Sequence, residues 1–399
     1  MTAKPIVVIV TGKHPLTSSG GYATIAKQIA RICTTLGYET HMVCMGKKTI
    51  HEQTPIGTIH TCTSPLQQLP FSQTFPLAGL LFFSFTISRK ILNLFQGRTI
   101  LVWGVGPWTL AGILVKRMKR GKTTVVAEYF TSIKHEFLAG LDAVQTYPYS
   151  LILKLVYAIT ALTLIPVLSF LERFVCSKSD RIVTHYASTE QILNKEFGIL
   201  QKKFIRLPYY LKPLRKKRTQ QGKLPLLLTI TRHDARKGIP VLLNAYALLQ
   251  KRGIAFSAVI IGDGNLLATH KNLSRKLGLT HVSLTGYVKD PEQFLQRASV
   301  FVLPSLEEGS SSLALLDAMR YGLPIIATHI DGISEDVTNH SGMLISPKSE
   351  KALAHAIKKI LELSGMAKKL GINAKKSYKQ NHSLSTILKD YKAFLATIS

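Results

Sequence analysis

Read for hydrophobic spacing alone, the chain alternates short runs of aliphatic and β-branched residues with longer stretches of helical period. The run Ile6 to Val10 reads as a buried strand and leads into a Gly/Ser-rich loop over residues 15–21. Across residues 22–36, Ile25, Ile29, Ile32 and Leu36 fall on one helical face, and Gly37 ends the stretch. A strand at 40–44 completes a βαβ opening, which predicts a parallel sheet. Further strands are expected at 99–103 and 123–127, with a helix between them, and at 181–184 and 204–207.

Residues 212–223, KPLRKKRTQQGK, break this rhythm: they are polar, charged and almost free of apolar side chains, as an exposed linker would be. A second alternating series follows. Strands are predicted at 226–231, 255–261, 282–285, 300–303 and 324–327, and helices at 239–251, 266–277, 291–297, 311–321 and 351–363. The fold class is therefore α/β, with two Rossmann-like, doubly wound domains. The first is assigned to residues 1–210, the linker to 211–223, the second domain to 224–380 and a last helix to 381–399.

Two apolar stretches do not fit the alternation. Residues 75–95 are rich in Leu and Phe but interrupted by Arg89 and Lys90; residues 151–171 are long enough to cross a bilayer, which takes about 20 residues. Pro166 and the surrounding α/β pattern argue for a core or interdomain helix pair, with a helix on a membrane surface or a true span as alternatives. Composition bears on this choice. The chain has 51 Lys plus Arg against 22 Asp plus Glu, a formal charge of +29, which calls for an anionic partner. No nucleic-acid-binding motif accompanies the charge, which disfavours nucleic acid; an anionic membrane surface suits it. Cys33, Cys44, Cys62 and Cys176 form no CxxC pair, so reduced thiols in a cytoplasmic chain are expected, and residues 6–10 are too short for a signal peptide.

Candidate chemistry gathers in loops that follow strands. In the segment VLPSLEEGSSSLALLDAMRYGLPIIA, residues 302–327, a strand ends at Pro304-Ser305, Gly309 turns an acidic loop, and Ser310, Ser311 and Ser312 can cap a helix start. Free N–H groups there suit a phosphate, while Glu308 and Asp317 can accept sugar hydroxyls; a capped surface helix with a stray acid is the plainer alternative. Arg232 and Lys237 follow the first strand of the second half and suit a diphosphate, or are simply a solvated loop. Gly262-Asp263-Gly264 permits close backbone approach to a ligand, or is a tight turn. Ser18-Ser19-Gly20-Gly21 opens the first helix, with His14 nearby. Gly121-Lys122-Thr123 precedes a strand and lacks the upstream glycine of a phosphate loop, and Pro107 spoils a dinucleotide fingerprint at Gly104–Gly106.

In this order the segments resemble the retaining GT-B glycosyltransferases of family 4. The match runs through Gly20-Gly21, Arg232 with Lys237, Gly262-Asp263-Gly264, Gly286-Tyr287-Val288, Glu308-Gly309, Asp317-Ala318-Met319, Asp331-Gly332 and Gly342-Met343. The resemblance implies two domains facing a central cleft. It implies a nucleotide-sugar donor, UDP- or GDP-linked, and a glycan or lipid-linked acceptor. Transfer would proceed with retention; Arg232, Lys237 and the helix start at Ser311 in place of a metal-binding motif predict that no metal or other cofactor is needed, and the charge with the two apolar stretches predicts a place on the cytoplasmic face of a membrane. Arg232 and Lys237 would bind the diphosphate, Glu308 the donor sugar and Asp317 the ribose. The backbone of Gly309 and Ser310–Ser312 would hold sugar and phosphate, and Tyr287 and Val288 would meet the base. Two departures stand out. Eight residues separate Glu308 from Asp317 where the family has seven between two glutamates, and residues 125–130 carry no histidine where the family has one; His135 lies nearby but is not assigned. The chain has no Asp-x-Asp motif and no evident His/Asp cluster for a metal. Competing readings are an inactive GT-B scaffold, a basic nucleic-acid- or membrane-binding protein, and a GT-B epimerase that would release the free nucleotide without an acceptor.

Overall fold

A computed structural model of the chain describes residues 4–18, 21–63, 76–119, 121–211, 222 and 224–398. The chain folds as two compact units: residues 1–132, 167–210 and 384–399 form one, residues 133–166 and 211–383 the other. Residues 133–166, grouped above with the first half, thus pack with the second, and the last helix belongs to the first. Most of the expected linker, together with Ser19 and Gly20, lies outside the described residues.

The first unit is built on eight strands: β1 (Ile6–Thr11), β2 (Thr40–Met45), β3 (His51–Thr54), β4 (Gly57–Cys62), β5 (Ile100–Val105), β6 (Thr123–Glu128), β7 (Arg181–Thr184) and β8 (Phe204–Arg206), in the order β3-β4-β2-β1-β5-β6-β7-β8. Every pairing is parallel except β3 with β4. β1 and β5 are buried along their whole length, as continuous apolar runs in a sheet covered on both faces must be. The final helix, Leu384–Ile398, brings Tyr391 flat against Trp103, ring centroids 5.9 Å apart, and Phe394 edge-on to it at 5.6 Å.

The second unit carries β9 (Leu226–Ile230), β10 (Ser257–Ile261), β11 (Val282–Gly286), β12 (Val300–Leu303), β13 (Ile325–Thr328) and β14 (Gly342–Ile345), all parallel, in the order β11-β10-β9-β12-β13-β14. The order reverses direction between β9 and β12, so the crevice outside their carboxyl ends is where a doubly wound sheet binds its ligand. Helix Ile239–Lys251 covers this sheet with Leu242, Leu243, Tyr246 and Leu249 fully buried. Both units are thus Rossmann-like, as the alternation predicts.

Three buried imidazoles bear on acid stability. His60 lies between His41, 2.9 Å away, and His51, 2.6 Å away, and burial with these neighbours pushes its pKa down to about 4. In the second unit His270 sits between Tyr149 Oη at 3.0 Å and His233 at 2.9 Å. Burial pushes His233 down to about 4 and His270 to about 3. A histidine held neutral by the fold stabilises it above its unfolded pKa of about 6.5, and that contribution is lost as pH falls toward the folded value. The thermal midpoint should therefore drop between pH 6.5 and 4, each ring contributing up to about 1.4 kcal/mol per pH unit. A midpoint that stays level across that window in scanning calorimetry would show that the rings protonate in the folded chain.

Candidate active site

The loops that leave β9 and β12 at the switch point are tied together by charge. After β9 the chain makes a single 3-10 turn, Ala235–Lys237, ended by Gly238 at φ 63°. A Cβ on Gly238 would lie 2.0 Å from the carbonyl oxygen of Pro304, so the close approach of the two loops requires glycine at this position. The turn aims two consecutive cations at two consecutive acids. Arg236 donates to Glu307 Oε2 at 2.6 Å and meets Glu136 at 2.5 Å. Lys237 Nζ stands 2.8 Å from Glu308 Oε2 and donates to the Glu307 carbonyl at 3.2 Å. Glu308 Oε1 accepts from the Ser305 hydroxyl at 2.7 Å.

Burial sets the character of each pair. Glu307 is 1% exposed, and burial pushes its carboxyl above the ordinary range against the pull of Arg236 and Lys237. Burial disfavours the Arg236 charge too, yet Glu136, Glu307, Asp234 and Glu308 together hold its pKa above the usual value, so Glu307 faces a permanent cation. Lys237 is also buried. With two of its three N–H donors engaged among the described residues, one remains for an incoming oxyanion. Both Glu308 oxygens keep a lone pair for a hydroxyl.

A third loop completes the arrangement. Asp331, just beyond β13, adopts φ 39°, a left-handed conformation that Asp tolerates better than most residues. Its Oδ2 accepts the backbone N–H groups of Glu308 and Gly309, each at 2.9 Å, and His135 Nε2 lies 3.6 Å from its other oxygen. Burial alone would raise the Asp331 pKa; the hydrogen bonds from His135 and the two backbone amides lower it. His135, Glu307 and Asp331 thereby bring one ligand atom each within 4.8 Å of one another, a metal-capable cluster not evident from spacing alone. Glu307 already faces Arg236, and Asp331 already holds two amides, so fixed positive charge and N–H dipoles balance both carboxylates.

The remaining sequence candidates divide. Gly309 turns at φ 66°, and Ser310 and Ser311 are buried. The expected serine cap is not formed: Ser312 occupies the N-cap of helix Leu313–Tyr321, but its side chain makes no capping bond. Asp317 lies on that helix, engaged by Arg320 at 2.5 Å, and burial pushes its carboxyl up to about 6. Arg232 is exposed, and no hydrogen bond or ion pair reaches it among the described residues. Of the two readings of Gly262 and Gly264, close approach to a ligand or a tight turn, the structure shows a close packing of loops. A Cβ on either would strike backbone carbonyls, of Thr231 at 1.8 Å and of His233 at 2.4 Å, so their role is loop against loop. Asp263 is exposed and accepts the N–H of Gly264 at 2.8 Å. Tyr287 is 63% exposed, with Val288 half-buried beside it. In the first unit Gly21 begins helix Gly21–Thr35. His14 orders its own turn, its Nδ1 accepting from the amides of Leu16 at 3.3 Å and Thr17 at 3.4 Å. The sequence reading missed Arg236, Glu307 and Asp331 as site residues; the paired Arg236-Lys237 and Glu307-Glu308 were its available signal.

Residues 212–377 match the family model described as Glycosyl transferases group 1. The chain is 33% identical over 137 residues, 32% of its length, to the amylovoran biosynthesis glycosyltransferase AmsK of Erwinia amylovora. Over 156 residues, 37% of its length, it is 29% identical to a GDP-mannose-dependent alpha-(1-6)-phosphatidylinositol monomannoside mannosyltransferase of Mycobacterium tuberculosis. These matches span 34% and 40% of those relatives. Among solved structures it resembles sucrose-phosphate synthase from Thermosynechococcus elongatus, with TM-score 0.81, 17% identity and 99% of each chain covered. It also resembles Anabaena HepE in complex with UDP, with TM-score 0.69, 14% identity and 98% and 100% covered. The fold is GT-B.

Asp331→Ala should leave the partly buried amides of Glu308 and Gly309 without their acceptor and cost about 1–3 kcal/mol. Asp331→Asn, which keeps an acceptor and tolerates the backbone, should cost less. Urea unfolding of the two variants measures this, and equal stability of Asp331→Ala and the parent would remove Asp331 from the network.

Proposed function

We propose that the chain is a glycosyltransferase that moves a sugar from a UDP- or GDP-sugar to a glycan or lipid-linked acceptor, with retention and without a divalent metal. The observation that carries this reading is the Lys237–Glu308 pair at the carboxyl ends of β9 and β12, inside the segment that matches Glycosyl transferases group 1. Breaking a glycosidic bond to a nucleotide requires positive charge at the departing diphosphate. Lys237, with one free donor, and the exposed Arg232 supply it. Glu308, fixed by Ser305 and Lys237, accepts hydroxyls of the donor sugar. Asp317 accepts those of the ribose, and Tyr287 and Val288 flank the base. Similarity to an amylovoran biosynthesis glycosyltransferase and to a phosphatidylinositol monomannoside mannosyltransferase supports a glycan or lipid-linked acceptor, and the UDP bound to HepE supports a nucleotide-sugar donor. Retention rests on the family resemblance.

Turnover of a panel of UDP-, GDP- and ADP-sugars tests the reading. Glu308→Gln should slow transfer by a factor of order 100, and Lys237→Ala or Arg232→Ala should cost about 2–4 kcal/mol of transition-state stabilisation. Excess EDTA should leave the rate unchanged. Abolition by chelator, with rescue by manganese or magnesium, would overturn the metal-free mechanism and direct attention to His135, Glu307 and Asp331. Inversion at the anomeric centre would overturn the family-4 mechanism.

Asp317 adds a pH signature. Its carboxyl is raised to about 6 by burial, and only the ionised form accepts two ribose hydroxyls. Donor affinity should weaken as pH falls through about 6, and Asp317→Asn should bind more weakly at pH 8 and lose that dependence. Calorimetric titration that finds the same pH profile in both proteins would separate Asp317 from the ribose.

A further inference from the structure

Leu151–Lys178 is a single helix of 28 residues, and its most apolar 18-residue window has a mean hydropathy of 2.2 with only 6% of it buried. Ile152, Leu155, Ile159, Leu162, Val167 and Phe170 recur along one side and are exposed, Ile152 by 75% and Leu162 by 80%. So long an uncovered apolar stripe marks a contact surface. Two of its hydroxyls are satisfied within the helix: Thr160 donates to the Val156 carbonyl at 2.7 Å and Thr163 to that of Ile159 at 2.8 Å. That arrangement suits a medium that cannot hydrogen-bond.

We propose that this stripe seats on an anionic membrane surface, with the helix lying in the interface and not crossing it. The inference builds on the reading of the chain as a transferase with a lipid-linked acceptor, and names the surface that would bring the two together. Crossing is opposed by what the helix ends do. Leu153 and Tyr157 pack on a buried cluster of the second unit, and Leu171, Val175 and Cys176 pack in the core of the first. Between Tyr157 and Leu171 the helix rises about 21 Å at 1.5 Å per residue, short of the roughly 30 Å hydrocarbon core of a bilayer. The choice of lipid over a second copy follows from charge. Arg173 and Lys178 are exposed at the end of the stripe, and the chain carries +29. Basic residues beside an inserted apolar face are attracted by anionic headgroups, whereas two copies would bring +29 against +29. In the first unit, helix Pro76–Leu94 offers a smaller patch of the same kind, with Leu81, Phe82 and Phe85 exposed and the Arg89 guanidinium 6.0 Å from the Phe85 ring.

Co-sedimentation with vesicles tests the proposal. Wild type should bind phosphatidylcholine vesicles containing 30% phosphatidylglycerol about tenfold more than pure phosphatidylcholine, and 0.5 M salt should release most of it, an effect expected on the order of one Debye length of screening. The triple variant Ile159→Glu/Leu162→Glu/Phe170→Glu should keep its far-UV circular dichroism and thermal midpoint, because the replaced side chains are exposed, and should lose vesicle binding. Absence of wild-type binding, or binding that the triple variant retains, would overturn the proposal. So would a dimer in sedimentation velocity that the variant converts to monomer, which would assign the stripe to a second copy. Protein that resists alkaline carbonate extraction would overturn it in favour of a span. UDP and GDP binding measured calorimetrically in both proteins keeps the two readings apart. Loss of nucleotide binding in wild type sinks the transferase reading and leaves the vesicle result standing, whereas equal binding with altered sedimentation isolates the membrane face.

Discussion

Glu307 can be buried only because the half-buried Arg236 guanidinium faces it, and the candidate site depends on that pair. A carboxylate withdrawn from water costs several kcal/mol unless a partner compensates it, and removing one member of a buried pair leaves the other uncompensated. Here the compensation is geometrical as well as electrostatic. Arg236 follows β9 and Glu307 follows β12, so their contact at 2.6 Å fixes the two loops that flank the switch point. Their chain neighbours, Lys237 and Glu308, are thereby set 2.8 Å apart. Asp331 adds the loop after β13 by taking two amides of the acidic turn. Three strand ends are joined by charge where a regular hydrogen-bond ladder has run out, and the result is a pre-arranged cation, carboxylate and free N–H at one place.

Where strands are buried on both faces, the sequence announced them. β1, β5 and β12 are nearly continuous apolar runs, β9 is one broken only by Thr229, and the amphipathic helices between them carry the 3.6-residue period. Elements that escaped notice lack that signal for identifiable reasons. β3, HEQT, is exposed almost throughout and exists because it pairs antiparallel with β4 at the edge of the sheet. Helix Ser364–Asn381 buries only Leu370, Gly371, Ala374 and Tyr378 among many lysines, so little apolar pattern marks it. Helix Ile133–Thr146 buries three small or β-branched residues, Gly140, Ala143 and Val144, and its place in the second unit is a tertiary fact that no local spacing encodes.

The site was legible to a similar depth. Lys237 and Glu308 were readable because each belongs to a motif at a strand end. Which of two adjacent acids is buried was not, since Glu307 and Glu308 differ only in what their loops meet. Asp331 was quoted for its place in a motif, yet its work is to accept two main-chain amides from residues 22 and 23 positions away. The glycines at 262 and 264 suit either close backbone approach to a ligand or a tight turn, and the group that a Cβ there would meet is the backbone of residues 231–233. Glycine spacing reports a close approach and leaves the identity of the approaching group open.

The distribution of charge separates two roles that composition had merged. A diphosphate site could have explained an excess of Lys and Arg, but the loops at the switch point do not carry that excess. Arg232, Arg236 and Lys237 stand there among Asp234, Glu136, Glu307, Glu308 and Asp331, so acids outnumber bases in a chain that holds only 22 acids in all. The +29 is therefore carried by the rest of the molecule, and its use must be sought there. Long-range positive potential acts on an extended anionic surface more than on a single small ligand, which is recognised by a few directed donors. An exposed apolar helix with basic residues at its end supplies the short-range contact that such a field alone lacks. Local acidity at the strand ends and global basicity outside them are thus compatible: the proposed sugar site needs only a few fixed cations, and the proposed membrane contact draws on the positive charge carried elsewhere.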